Sequence, residues 1–248
     1  MILSFGFVLA FSNAFINTFS DATANRESLQ IESHFINEDE AFGNFGSLIT
    51  FKNNEQFVFS DTFDFKTKKN INIFTQTLQP NFKLIIIGGE HDAVKLCKIA
   101  SNLGWQIDVI TSIKDSKQIK DFPGANTLTG NTPETIEFSN IEENTAIVIM
   151  NHSYVQDLKY VVKLSKYLPK YIGILGAPKR RERLFNELFE FVPDICDEFL
   201  ETIYTPAGLH IGAQTPEEIA LSIVAEILSV IRKKEPFSLR ELNGKIHS

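Results

Sequence analysis

Residues 82–93, FKLIIIGGEHDA, constrain this chain more than any other stretch. The run 83–87 is apolar at four of its five positions and stops at Gly88-Gly89, where a helical pattern begins at once. A continuous apolar run bounded by turn residues predicts a strand buried on both faces of a parallel sheet. The paired glycines supply the tight turn that brings a helix back onto that strand. A nucleotide-binding α/β domain opens in this way, but with one departure: Glu90 stands where the second glycine of G-x-G-x-x-G/A belongs.

From residue 81 onward strands and helices alternate, which predicts a doubly wound, mostly parallel Rossmann-like sheet with right-handed crossovers. Ala93, Leu96, Cys97, Ala100 and Leu103 share one helix face, and Cys97 within that stripe reads as a small buried hydrophobe rather than a reactive thiol. Residues 105–110 (WQIDVI) are the second strand, 126–128 a weak third, 145–150 (TAIVIM) the fourth and 171–175 (YIGIL) the fifth; 199–204 reads as a sixth. Residues 157–168 and 183–191 are helices, the second with Leu184, Leu188 and Phe191 on one side. The last helix has a full start signal in Thr215-Pro216-Glu217-Glu218, and 219–231 is polar only along a narrow stripe. So wide an apolar surface predicts burial on more than one side, against the sheet and against the N-terminal unit or a second copy of the chain.

Residues 1–80 differ in character. They hold 14 of the 22 phenylalanines, with short strands at 57–59 and 71–74, a candidate strand at 43–51 and a turn at Asn53-Asn54. They read as a small β-rich or α+β unit, with an exposed loop at 66–70 and a boundary at Pro80, so that 81–248 forms the second domain. The opening run MILSFGFVLAFSNAF invites a signal-peptide reading, yet no basic residue precedes Arg26, and a buried strand or helix is preferred. It is too short to span a bilayer. A net charge of −7 argues against nonspecific binding to nucleic acid or an anionic membrane. Two cysteines give no disulfide framework and suggest a reducing compartment, the cytoplasm.

Ligands of an open parallel sheet bind beyond the carboxyl ends of its strands, so four turns matter. The first, Gly88-Gly89-Glu90-His91-Asp92, is either a ligand cradle or a bare strand–helix turn. Glu90 adds bulk and negative charge where a pyrophosphate would rest, and the second strand ends in Ile110-Thr111-Ser112 without the acid that holds a ribose. The second turn holds His152, which acts as acid, base or hydrogen-bond donor to a ligand, or else caps the strand and bonds Asp157 or a backbone carbonyl. The third, Gly176-Ala177-Pro178-Lys179-Arg180-Arg181, is an anion site or the solvated start of a helix; cations at a helix N-terminus favour the former. The fourth runs through Gly208, His210 and Gly212. No close metal-ligand spacing occurs, and a metal site would have to combine His91, His152 and His210 from separate turns.

Several turns together carry a family resemblance. GGEHDA with Leu103-Gly104-Trp105 behind it, IMNHSYVQD, YIGILGAPKRRERL and TPAGLHIGAQTPEEIALSIVAEI resemble the C-terminal Rossmann-like domain of the XdhC/CoxI family, accessory proteins of xanthine dehydrogenase and related molybdenum hydroxylases. The match covers about residues 81–233, and its last segment is the most specific. Residues 1–80 carry neither the G-S-x-x-R-x-P-G-like stretch nor the G-G-[CG] segment usual in that family, so this part is divergent or shortened. The resemblance implies binding of molybdenum cofactor (molybdopterin), protection while its sulfido ligand is installed, and delivery to a hydroxylase apoenzyme. It implies a sulfurase as a further partner. On this reading Lys179, Arg180 and the nearby glycines such as Gly176 hold the phosphate end, and His152 and Asp157 shape the pocket. Gly88, Gly89, His91 and Asp92 on one turn and Gly208 and Gly212 on another form further walls of it. The alternatives are an NAD(P)-dependent oxidoreductase, disfavoured by Glu90 and Thr111, and a degenerate member serving as partner or scaffold. A homodimer is expected from the last helix and the Phe-rich N-terminal part.

Overall fold

Residues 11–36, 45–60, 63–65, 71–138, 141 and 144–241 are described by the computed structural model. The opening residues 1–10 and the charged loop 66–70 lie outside them. The chain divides into two compact units, Met1–Asn81 and Phe82–Ser248.

The first unit starts with a helix that residue patterning alone did not single out. Ser12 accepts a hydrogen bond from the Phe15 amide (3.2 Å) and caps α1, Asn13–Ala24. There follow β1 (Leu29–Ile36), β2 (Phe45–Thr50), β3 (Gln56–Phe59) and β4 (Ile71–Leu78). They form an antiparallel sheet in the order β3-β2-β1-β4. Asn54, at positive φ, turns β2 into β3 as expected. Phe15, Ala22, Leu29 and Phe51 form the core between α1 and the sheet. Phe15 is its hub, with ring centroids 4.9–6.0 Å from Phe11, Phe19, Phe51, Phe57 and Phe59. Each such aromatic pair adds roughly 0.5–1.5 kcal/mol beyond area burial. Part of the phenylalanine enrichment thus builds this core, whereas Phe45 and Phe74 are exposed.

The second unit is built on the expected strand, β5 (Lys83–Ile87), buried along its whole length. Lys83, the polar member, is paired with Asp108 at 2.8 Å. Six strands form a wholly parallel sheet in the order β10-β9-β8-β5-β6-β7, with β6 Gln106–Ser112, β7 Thr127–Asn131, β8 Thr145–Ile149, β9 Tyr171–Ile174 and β10 Ile203–Tyr204. Read from β5, this is the doubly wound order 3-2-1-4-5-6 of dinucleotide-binding folds, with its switch point between β5 and β8. Helices α2 (His91–Ser101) and α6 (Pro216–Arg232) cover one face. α3 (Tyr154–Leu164) and α4 (Arg180–Phe191) cover the other, together with Ile136 and Phe138 from the β7–β8 connection. Tyr171, stacked on Tyr204, donates to Glu226 on α6 at 2.5 Å and ties sheet to helix.

Several boundaries differ from the sequence reading. Residues 199–204 are not one strand: α5, Asp197–Glu201, precedes the two-residue β10. Acidic Asp197 and Glu198 in its first turn favour a helix there, and Phe199 is buried as a helical rather than a strand residue. Leu103 and Phe191 are exposed, because α2 has already ended at Ser101 and α4 ends on Phe191 itself. α3 begins three residues earlier than expected, at Tyr154. α6 carries the predicted capping box between Thr215 and Glu218. It buries Ala220, Ser222, Ile223, Val224 and Ile227, whereas Leu221 remains half-exposed. No helix among the described residues is long and apolar enough to cross a membrane.

Candidate functional site

Beyond the carboxyl ends of β8, β9 and β10 lies a small cavity of about 10 Å³, room for about one water molecule, lined by Tyr154, Asp157, Leu175, Arg180, Leu184 and Thr205. Asp157 reaches it from the first turn of α3 and is almost wholly buried, at 1% exposure. Its Oδ1 accepts from Asn151 Nδ2 at 3.2 Å, while its Oδ2 has no hydrogen-bond partner among the described residues. The nearest cation is the Arg180 guanidinium, 3.8 Å from Oδ2, which is an ion pair too long for a hydrogen bond. Burial pushes the Asp157 carboxyl up to about 6, against the opposing pull of Asn151 and Arg180.

Arg180 is the first residue of α4, with Lys179 as its N-cap. Its side chain runs over Gly176, where a Cβ would meet Arg180 Cδ at 2.9 Å. The guanidinium also lies 5.4 Å from the centre of the Tyr154 ring, which Arg183 covers at 4.2 Å. Stacking on a ring and a distant carboxylate hold the guanidinium in place while leaving its donors unused, at the N-terminus of a helix that already favours anions. Lys179 beside it is exposed.

The other expected residues fall into separate groups. Gly88 and Gly89 form the β5–α2 turn, with His91 and Asp92 in the first turn of α2. Glu90 is the N-cap of that helix but its side chain makes no capping bond. His152 is 80% exposed and stands 3.9 Å from Glu90, so the β5 and β8 turns face each other. The expected His152–Asp157 bond is replaced by one from Asn151, which the sequence reading overlooked although it closely follows β8. Tyr154, within the IMNHSYVQD segment, was overlooked too; its proximity to Arg180 depends on α3 starting at that residue. Gly208 packs against Ser222 of α6, and its amide donates to Glu226 at 2.8 Å. Gly212 and His210 are exposed on the same loop. Among the described residues no three His, Cys, Asp or Glu side chains approach closely enough to hold a metal ion.

Gly88 is required by its backbone: at φ +147° a Cβ would also approach the Met150 carbonyl oxygen to 2.7 Å. Gly88→Ala is expected to destabilise the second unit by about 1–3 kcal/mol. Urea denaturation of the intact chain measures this loss.

The family signature described as the XdhC Rossmann domain matches residues 84–227, more than half of the chain. The chain belongs to the XdhC family. Among curated relatives of this XdhC chain is a Bacillus subtilis (strain 168) protein named as a probable xanthine dehydrogenase subunit, 32% identical over 165 residues, 65% of this chain and 47% of that protein. The "Molybdenum cofactor insertion chaperone PaoD" of Escherichia coli (strain K12) is 24% identical over 165 residues, 66% of this chain and 45% of that protein. The chain thus spans about half the length of these relatives. A crystal structure described as a xanthine dehydrogenase from Bacillus halodurans superposes with a TM-score of 0.70 at 25% identity, covering 90% of this chain and 65% of that one. That overlap extends beyond the second unit, so part of the divergent N-terminal unit has a counterpart there.

Proposed function

We propose that this chain is a maturation factor that holds molybdenum cofactor and passes it to a molybdenum hydroxylase apoenzyme, acting by binding and protein contact rather than by turnover. Membership of the XdhC family supports this, as does the similarity to a relative named as a molybdenum cofactor insertion chaperone. The observation that carries it is the Lys179-Arg180 pair at the N-terminus of α4, where the one-third-exposed guanidinium stands 3.8 Å from the Asp157 carboxylate and makes no hydrogen bond to another described residue.

That pair matches the chemistry of the cargo. A molybdopterin presents oxyanions on its phosphate. Arg180 with Lys179 donates to the phosphate, and Asp157 holds the guanidinium beside it. Asn151 holds the carboxylate in place, and His152 forms the rim. Gly176 leaves room for Arg180; Gly88, Gly89, His91, Asp92, Gly208 and Gly212 belong to the neighbouring turns that wall the strand ends. The apoenzyme is the receiving partner, with a sulfurase and a second copy of the chain as further partners, in the cytoplasm.

Incubating the purified chain with molybdenum cofactor released from a donor enzyme tests the reading directly. Molybdenum is expected to co-elute with the protein on gel filtration. A protein fraction free of molybdenum at micromolar protein sinks the proposal.

A further inference from the structure

The glycine turn at the head of β5 is filled by the chain itself. In a sheet with the order 3-2-1-4-5-6, a dinucleotide lays its pyrophosphate on the N-terminus of the helix after the first strand and its ribose at the end of the second. Those places correspond here to the Gly88-Gly89 turn with the start of α2, and to the end of β6. The segment leaving β6 crosses the space between them. The Asp115 amide donates to the Ser112 carbonyl at 2.9 Å, and the Lys117 amide donates to Asp115 Oδ1 at 3.0 Å, which folds the segment back on itself.

Two side chains meet Gly89 there. The second carboxylate oxygen of Asp115 lies where a Cβ on Gly89 would stand, and Thr111 Cγ2 lies 3.2 Å from the same point. The Lys117 ammonium donates to the Gly89 carbonyl and stands 3.9 Å from Asp115 Oδ2. Asp115 and Lys117 are both largely covered, at 19% and 33% exposure. The absent side chain of Gly89 thus makes room for the chain's own carboxylate. Glu90 and Asp92 add two more negative groups at the same helix start. A phosphate arriving there meets an occupied position and a net repulsive field, although α2 offers it a favourable dipole.

We infer that Asp115 is a specificity-determining residue: its carboxylate takes the place of a ligand phosphate over Gly89 and closes this Rossmann turn to nucleotides and dinucleotides. Lys117 fastens the closing segment to the turn. Phosphate-bearing ligands are thereby left to the Arg180 side of the strand ends. This closure belongs to the β5–α2 turn and does not depend on which cargo the Lys179-Arg180 pair takes.

The test uses the full chain and two probes, ADP and NADH, titrated by calorimetry and by fluorescence. Glu90→Gly is the background, because it restores the glycine that the fingerprint lacks. On it, Asp115→Ala removes charge and bulk, and Asp115→Asn removes charge at constant size. Wild type is expected to show no saturable binding. The Glu90→Gly/Asp115→Ala chain is expected to bind ADP about tenfold or more tighter than Glu90→Gly alone, with the asparagine variant between them. Should the alanine chain lack a cooperative thermal transition, the isosteric asparagine chain decides, and any gain in its affinity supports the proposal. Binding of either probe to wild type as tightly as to the double variant overturns it. So does a folded double variant that gains nothing.

Discussion

Replacing Arg180 by glutamate is expected to weaken retention of molybdenum cofactor by roughly 30-fold or more and to lower stability. The guanidinium is one-third exposed, stacked on Tyr154 and 3.8 Å from a carboxylate that does not hydrogen-bond it. Its donors are therefore available to an incoming oxyanion. A charge-assisted hydrogen bond is worth about 1.5–3 kcal/mol. Reversal also sets a like charge against the phosphate, so the loss should reach about 2–4 kcal/mol, or roughly 30-fold or more in affinity. A glutamate in the first turn of α4 suits the helix dipole better than an arginine does. It also removes the counter-charge 3.8 Å from the buried Asp157 carboxylate and sets a like charge in its place, so the variant should be less stable. Arg180→Gln, which keeps an amide donor without the charge, should lose less. Molybdenum bound per chain after gel filtration, read beside the thermal transition, separates the outcomes. Retention unchanged from wild type would reduce the Lys179-Arg180 cluster to a solvated helix start.

Asp157→Asn is expected to do the opposite to stability and the same to binding. Burial holds the Asp157 carboxyl at about 6, above its ordinary 3.8, so the folded chain takes up a proton more readily than the unfolded one. Stability from this group is accordingly greatest below about pH 4, declines as pH rises to about 6 and is flat above that. The ionised form costs the fold on the order of 2–3 kcal/mol at neutral pH. Asparagine has the same size and never ionises. The variant should therefore gain about 1–2 kcal/mol at pH 7.5 and lose the advantage near pH 4. Carboxylates paired elsewhere titrate in the other direction: Glu134, bonded to Lys159, and Glu217, bonded to Lys95, are held below the usual range. The informative quantity is thus the difference between variant and wild type in urea denaturation at the two pH values. A variant that is less stable at pH 7.5 would place the carboxylate in a structural rather than a binding role. Molybdenum retained by the same variant decides its part in binding, and retention equal to that of wild type assigns the carboxylate a structural role.

These two residues show what made the site partly legible. Arg180 could be singled out because a basic run directly after an apolar strand and a glycine places cations at a helix N-terminus, where helices do not favour them. Asp157 was named as well, but with His152 as its partner. Only the register of α3, starting at Tyr154, turns the side chains so that Asn151 reaches the carboxylate and His152 faces solvent. Starting three residues earlier places residues 154–156 on the helix at about 100° per residue instead of in a loop. Asp115 and Lys117 carried no signal in sequence, because a charged residue in a loop reads the same whether it is solvated or folded onto a turn far away along the chain.

The chain's own residues determined the strand buried on both faces at 83–87, the glycine turn that ends it, the alternation that makes the sheet parallel, and the capping box of α6. All four follow from interactions within a few residues, which is what periodicity and turn chemistry record. The tertiary structure decided what that glycine turn holds. Gly89 looked like space left for a phosphate, and Glu90 already argued against one. Whether the space was open or filled depended on a segment 26 residues further on, and it is the Asp115 carboxylate that lies over the glycine. Arg180 stands at another strand end, beside a carboxylate whose charge is costly because burial keeps water away from it.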